Sequence, residues 1–313
     1  MTEKKSYKPA DLGPLKTGYL AERPSLVGME HLAKLTEPGV SAARLVDSLP
    51  GVLAAKGFRE LVSGITGARR KGKPVVMGMG AHVIKCGLSP LVIDLMERGI
   101  VTALVTNGAC AVHDYEFAAA GKTSEDVAAR LPDGSFGNAA ETAQALNKAA
   151  VKGKENGFGR ALGELILNSG LPHAGISIYA AAARLGLPAT VHVAIGTDVV
   201  HMHPVTDGSA LGQATLADFR LLVSVISDLE GGVYMNFGSA VVLPEIFLKA
   251  LAAVRNLGAH AQNFTTADFD MIKHYRPSMN VVSRPGGRGL SFTGHHEIML
   301  PLLRQALIDA AGE

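Results

Sequence analysis

Between residues 41 and 71 the apolar positions Leu45, Val46, Leu49, Val52, Leu53, Phe58, Leu61, Val62 and Ile65 recur at three- and four-residue spacing, with interruptions at Pro50-Gly51 and Gly57. That period puts them on one face of a helix, and the Pro-Gly break divides the stretch into two helices. Pro74 then opens Pro-Val-Val-Met-Gly-Met-Gly, a short apolar run ending in glycine, as a strand feeding a tight turn does. Helical spacing returns over 88–98, with Ser89 and Pro90 at the N-cap and first helical positions. Residues 101–105 repeat the strand pattern, and the segment from Thr106 to Phe117 carries the chain off that strand into another helix. Further on, the pattern predicts helices over 176–185, 215–229, 243–256 and 295–311, and strands over 189–194, 233–237 and 259–264.

Two stretches fall outside this alternation. Residues 121–159 are rich in glycine, alanine and charge and hold no strand-like run, so they read as a helical excursion that packs at a subunit contact or closes over a site. Residues 1–40 are charged and contain proline; they read as an arm lying on the surface or on a neighbouring subunit. The remainder, 41–313, is expected to form a single α/β domain. Its strands are apolar throughout and separated by helices, which predicts a three-layer, doubly wound, Rossmann-like parallel sheet covered on both faces. In such sheets ligands bind outside the carboxyl ends of the strands.

Composition narrows the function classes. A chain of 313 residues, 47% of them hydrophobic, buries enough surface for one large α/β domain or two small ones. Thirty basic against 28 acidic side chains leave a net charge of +2, and the longest basic run is Arg69-Arg70-Lys71-Gly72-Lys73, so nucleic acid is not an expected partner. The two cysteines, Cys86 and Cys110, form no disulfide framework and lack zinc-site spacing, which suits a reducing, cytoplasmic location. The N-terminus lacks the apolar core of a signal peptide and no apolar stretch of membrane length is apparent after it, so no membrane partner is expected either.

The segments read as following strands are 78–87, 106–116, 196–208, 237–245, 265–270 and 283–289; all but the fifth contain glycine, and a nucleotide-sized ligand lying across them is the economical reading. The ordinary dinucleotide fingerprint is incomplete, because Gly78 and Gly80 give G-x-G but Val83 stands at the third glycine, and Asn107 ends the second strand where an acidic residue would. His201 and His203 form an H-x-H pair that needs a third ligand from His192, His295 or His296 to hold a metal, and no metal is expected. His113, Asp114 and Glu116 make the densest ionisable cluster: an imidazole oriented by a carboxylate is a general base near neutral pH. In the plainer reading Asp114 caps the helix that follows it and His113 is partly buried. Cys86 and Cys110 are open to a nucleophilic or redox role, or are small buried residues. Arg276, Arg284 and Arg288 are possible anion partners if the protein is instead a non-redox enzyme binding a nucleotide or sugar phosphate.

Taken in order, these segments give the chain a resemblance to the deoxyhypusine synthase superfamily from about residue 75 onward. GAHVIKCG stands where that family has T-S-N-x-x-x-S-G, and VTNGACAVHD where it has V-T-T-A-G-G-V-E-E-D. ISIYAAAARLGLPATVHVAIGTD resembles S-V-Y-x-x-A-x-x-x-x-I-P-V-x-x-P-A-x-T-D, with Asp198 on the family's aspartate; FGSAVVL is similar to G-G-G-V-V-K and TTADFD to N-T-A-x-E-F-D. The resemblance implies NAD held at the interfaces of a homotetramer and an amine oxidised by hydride transfer before group transfer through a lysine imine. It makes Gly80, His82, Asn107, Gly108, His113, Asp198, Gly238, Ser239, Thr265 and Thr266 cofactor-side candidates. Leu243 replaces one family lysine, and the stretch 279–282, where the imine-forming lysine falls, has none; Lys273 is the nearest substitute. Without that amine the transfer step has no covalent carrier. The string AVHDYE (111–116) also resembles the A-V-H-D-x-E of the archaeal-type ornithine cyclodeaminase domain, which implies NAD-dependent oxidation of an amino acid. The expectation is therefore an NAD-dependent transferase or lyase acting on a small amine or amino acid by transient oxidation of a C–N centre, without deoxyhypusine synthase activity. A non-catalytic NAD-binding regulatory protein is the remaining alternative.

Overall fold

The computed structural model describes residues 5–312. Ser41 caps the first helix, α1 (Ala42–Ser48), by accepting from the Arg44 N–H, and the chain then breaks at Pro50-Gly51 before α2 (Leu53–Arg70). The Arg59 guanidinium donates to the carbonyls of Val46, Leu49 and Pro50, which ties the break to the second helix. Along α2 the buried residues Phe58, Leu61, Ile65 and Ala68 follow the helical period read from the sequence.

The order then runs β1 (Val75–Met79), α3 (His82–Lys85), α4 (Ser89–Glu97), β2 (Ala103–Asn107), α5 (Gly108–Ala120), α6 (Val127–Arg130), α7 (Ala140–Lys152), α8 (Phe158–Asn168), α9 (Ile178–Leu185) and β3 (Ala189–His192). It continues α10 (Gly208–Ser227), β4 (Val233–Phe237), α11 (Val242–Asn256), β5 (Thr265–Asp270), α12 (Tyr275–Pro277), a π-helical turn over Ser278–Ser283, β6 (Arg288–Thr293) and α13 (His296–Ala311). All six strands are parallel, in the order β3-β2-β1-β4-β5-β6. Alternate residues of β1 enter different cores: Met77 and Met79 pack in the layer with α2, α4 and α13, while Val76 packs in the layer with α10 and α11. The protein is thus a doubly wound α/β fold. Its strand order reverses between β1 and β4, and the crevice over their carboxyl ends is the place where such sheets bind ligands.

The structure moves one strand and adds another. No strand forms over 259–264; Glu230 accepts backbone N–H groups from Gln262 and Asn263 and holds a turn there. The strand is Thr265–Asp270, whose Asp268 and Asp270 break the apolar run that marks the other central strands. The edge strand Arg288–Thr293 covers the end of the stretch read as a loop after a strand, so 283–287 precede a strand at the opposite edge. Half-exposed and containing Arg288 and Gly289, it carries little hydrophobic signal.

Among the described residues of the arm, Tyr7, Leu12, Tyr19, Leu26, Met29 and Leu35 are exposed, and the arm joins the domain where Lys34 donates to Ser48 and Gly51 donates to His31. The excursion contains α6 and α7 and runs into α8, which packs on α9 within the main layer. Helix α10 is long and apolar enough, by length and composition, to cross a membrane, which the sequence reading had not identified. In this fold its buried stripe, Ala210, Leu211, Ala214, Asp218, Leu222 and Ile226, faces the sheet. Asp218 is fully buried and accepts from Gly159 N (3.0 Å) and Val191 N (2.7 Å), pinning the start of α8 to β3.

Burial pushes the Asp218 carboxyl up to about 7, against the hydrogen bonds from Val191 and Gly159 that favour its charge. A carboxyl whose pKa is higher folded than unfolded holds its proton more tightly in the native state. Its contribution is complete below about pH 4 and is lost as the pH rises through 7. Urea unfolding of wild type and Asp218→Asn at pH 5 and pH 8 checks this: the stability difference should move in favour of the Asn variant by about 1–3 kcal/mol at the higher pH. A difference that does not change with pH would show that Asp218 is ionised throughout.

Candidate functional site

At the end of β2, Asn107 accepts from Cys110 N (3.1 Å) and caps α5, and Gly121 closes that helix in the left-handed conformation. Consecutive helical residues point about 100° apart, so His113 and Asp114 cannot share a face, whereas His113 and Glu116 do. Asp114 turns inward. It is fully buried, accepts from Ser177 Oγ (2.5 Å) and Ile178 N (2.8 Å), and thereby anchors the start of α9. Burial raises its carboxyl to about 7 despite those hydrogen bonds. Asp114 therefore does not orient His113, and it does not cap the helix that follows β2 either: it lies inside α5, which Asn107 caps, and braces Ser177 and Ile178 at the start of α9.

Thr123 takes the orienting role. His113 Nδ1 lies 2.7 Å from Thr123 Oγ1, the Thr123 hydroxyl donates to Glu116 Oε2, and Nδ1 is 3.8 Å from the same carboxylate oxygen. Burial works against the charge of Glu116, but neighbouring His113 and the hydrogen bond from Thr123 outweigh it and hold the carboxyl below its usual range. Thr123 was missed in the sequence, where a hydroxyl just past a helix-ending glycine carries no distinctive signal.

His113 and Glu116 line a cavity of about 230 Å³ with Lys85, Val112, Phe136, Asp198 and Val199. Residues of the excursion from Ser124 to Ala139 form part of its wall. Asp198, from the loop after β3, lies over the start of α5: a Cβ on Gly108 would sit 2.0 Å from its Oδ2. Its side chain is largely buried, which raises its pKa while His201 and His113 oppose the rise. His201 Nε2 is 3.8 Å from Asp198 Oδ2, and its Nδ1 accepts from the backbone of Gly196 and Asp198. His203 instead faces the Val205 N–H from a half-buried position. The H-x-H pair is thus engaged locally, and among the described residues no group of three or more His, Cys, Asp or Glu is arranged to hold a metal.

A second group gathers at the switch point. A Cβ on Gly80 would meet Gly238 O at 2.7 Å, and one on Gly238, at φ +65°, would meet His296 Cε1 at 2.7 Å. His296 is buried, its Nε2 is 3.1 Å from Phe269 O, and its Nδ1 has no partner. His82 stacks edge-on against it and lies 3.3 Å from Cys86 Sγ. Ser239 Oγ accepts from Leu243 N in the first turn of α11. Asn236 donates to Asp268 Oδ1 (2.8 Å) and to Ser239 O (3.0 Å) while its own Oδ1 is unpartnered. Burial raises the Asp268 carboxyl to about 6, with Asn236 opposing. Asn236, Asp268 and Asp270 were missed as well; the alternation of acidic and apolar residues in TTADFD was the available signal for the two aspartates, while Asn236 stands as a single polar residue in the apolar run of β4.

Other candidates lie elsewhere. Thr265 and Thr266 begin β5 and stand at the amino edge of the sheet, about 13–17 Å along the strand from its carboxyl end at 3.3 Å per residue, because the strand starts where a loop was expected. Lys273 follows β5, exposed, and β1 and β4 stand between that strand and β2, which leads to His113, so the two strands are about 14 Å apart at 4.8 Å per strand. The arginines do not converge on an anion: Arg288 pairs with Glu60, Arg276 with Glu245, and Arg284 with Asn280 and Tyr275. Cys110 is buried and donates to Met79 O, with its thiol pushed up to about 12 by burial; Cys86 is half-buried, and burial followed by Glu297 raises its thiol too. Neither is poised as a thiolate nucleophile.

No family model matches the sequence, and no curated protein matches it. Solved structures do share the fold. An LOR/SDH protein from Methanococcus maripaludis S2 is 15% identical with a TM-score of 0.52, covering 89% of this chain and 73% of that one. The ternary complex of AgrE with ornithine and NAD+ is 16% identical with a TM-score of 0.53, covering 82% of this chain and 33% of AgrE, so this chain spans about a third of that protein. A protein described as a deoxyhypusine synthase from Entamoeba histolytica is 13% identical with a TM-score of 0.53, covering 87% of this chain and 94% of that one. At these identities the likeness is one of fold.

The structural role of Asp114 is directly measurable. Asp114→Ala leaves the Ser177 hydroxyl and the Ile178 N–H buried without an acceptor, and should lower the unfolding free energy by about 2–4 kcal/mol in urea titrations. Asp114→Asn, which keeps one acceptor, should lose less. Unchanged stability in both variants would return Asp114 to the list of groups that act on His113.

Proposed function

We propose that this chain is an NAD-dependent enzyme that acts on a small amine or amino acid by transient oxidation of a C–N centre. The observation that carries the reading is the placement of His113, backed by Thr123 and Glu116, in one small cavity with the buried carboxylate of Asp198 at the carboxyl edge of the sheet. Oxidation of an amine requires loss of a proton from its ammonium before hydride can leave the adjacent carbon. An imidazole takes that proton near neutral pH, and a carboxylate holds the cation beside it. The cavity, about 230 Å³, is smaller than the roughly 300–1,000 Å³ of pockets for drug-sized ligands, and suits a small substrate.

The cofactor belongs on the neighbouring crevice over β1 and β4. Residues there fit a polar ligand: the close-packed turns at Gly80 and Gly238 stand beside His82 and Ser239, and buried polar atoms of His296 and Asn236 are unpartnered. In this reading Gly80, His82, Gly238 and Ser239 hold NAD, while Asn107, Gly108 and Asp198 shape the amine side. NAD, when bound, supplies the hydride acceptor and returns the hydride later in the cycle. AgrE, which shares the fold, has been captured with ornithine and NAD+ together, and this supports the pairing of ligands.

Aminobutyl transfer from spermidine is not part of the proposal. Leu243, on α11, is fully buried, and residues 279–282 provide no amine that could carry the group as an imine. The exposed apolar residues of the arm further support assembly into a homo-oligomer, with a tetramer as the proposed form.

Calorimetry with NAD, NADP and adenosine diphosphate ribose, followed by turnover with a panel of amines and basic amino acids, tests the reading. Wild type should bind NAD, and His113→Ala should bind it equally while losing about 10²–10⁴-fold in turnover. If none of the three nucleotides binds wild type, the cofactor assignment falls. Light scattering at micromolar concentration should show an oligomer; a monomer would remove the interfacial part of the proposal.

A further inference from the structure

The arrangement around His113 sets the position of a single proton. Glu116, held as a carboxylate, only accepts hydrogen bonds, and the Thr123 hydroxyl has one proton to give. That proton goes to Glu116 Oε2, which leaves Thr123 Oγ1 as an acceptor 2.7 Å from His113 Nδ1. A neutral His113 meets that acceptor only if its own proton is on Nδ1. Nε2 has no hydrogen-bond partner among the described residues, so its lone pair is free to take a proton.

We propose that Thr123 is a positioning residue that locks His113 in the Nδ1–H tautomer, forming a His113–Thr123–Glu116 relay in which Nε2 is the base. The use of that base on an amine rests on the function proposed above; the tautomer does not. Thr123 lies beyond the left-handed Gly121 that ends α5, and is followed by Ser124 at φ +71°, a conformation that serine adopts at a cost. The relay is therefore assembled from two pieces, a helix that supplies the imidazole and the carboxylate, and a loop that supplies the hydroxyl between them. The same loop contributes Ser124 and Glu125 to the cavity wall, so the base is set when the wall is in place.

The experiment is a long-range ¹H–¹⁵N correlation spectrum of histidine-labelled protein at a pH where imidazoles are neutral, with the His113 signal identified by its disappearance in His113→Gln. Wild type should show the Nδ1–H form. Thr123→Val should shift His113 toward Nε2–H, the form that free histidine prefers, and Thr123→Ser should restore Nδ1–H. With an amine that is turned over, Thr123→Val should lower kcat about 10²-fold while KM stays within about twofold, and Thr123→Ser should recover most of the loss. An Nε2–H signal in wild type overturns the relay, as does a Thr123→Val spectrum identical to wild type. Should Thr123→Val fail to fold, Thr123→Ala replaces it, and the wild-type spectrum decides by itself. An Nδ1–H signal in a protein that oxidises no amine would leave the relay standing and remove the functional reading.

Discussion

The carboxyl edge of this protein depends on how closely two backbone turns approach each other. Strand β1 pairs with β2 on one side and β4 on the other, and the loops leaving β1 and β4 meet where Gly80 faces the carbonyl of Gly238. A Cβ on either glycine would strike backbone or the His296 ring. These glycines are thus explained first by packing of the sheet edge. Any ligand approach comes second, and this order matters because a glycine-rich turn read in a sequence is easily assigned to a phosphate when the backbone itself needs the space.

Three buried aspartates do comparable work deeper in the fold. Asp114 gathers the start of α9, Asp218 joins the start of α8 to β3, and Asp268 meets Asn236 across β4 and β5. In each case burial has raised the carboxyl toward neutrality. Perturbed acids of this kind often mark active sites, but here two of the three accept backbone N–H groups at helix starts, a structural use that perturbs pKa just as strongly. Glu116 differs in both respects: its pKa is lowered and it lines a cavity.

What the sequence disclosed follows from the physics of each signal. Helical spacing from Phe58 to Ala68 and apolar runs such as 75–79 and 233–237 report burial directly, and those elements lie where they were expected. Strand β5 was displaced because Asp268 and Asp270 satisfy their polarity through tertiary partners that a linear pattern does not reveal, and β6 was lost because a half-exposed edge strand needs little apolar surface. The cluster at His113 and Glu116 was legible from spacing on a helix. Its division of labour was not: Asp114 is adjacent in sequence but faces away, and Thr123 is seven residues past Glu116 yet in contact with it. Neighbours in the chain were overweighted, and neighbours across a turn were underweighted.

Charge separates the two halves of the proposed site. The amino end of α5 carries partial positive charge, and in a nucleotide-binding protein such an end commonly receives a phosphate. Here it already has Asn107 as its cap and the Asp198 carboxylate lying over Gly108, so a second anion would meet repulsion and a lost capping contact. A cation is opposed by Lys85 on the same wall, but the two carboxylates of Asp198 and Glu116 face it, and the apolar walls from Val112, Phe136 and Val199 strengthen their attraction by excluding water. The reversal of strand order supplies a separate place, over β1 and β4, for a larger ligand. A small cation at β2 and a larger ligand over β1 and β4 would then lie on adjacent strands, about 5 Å apart along the sheet edge.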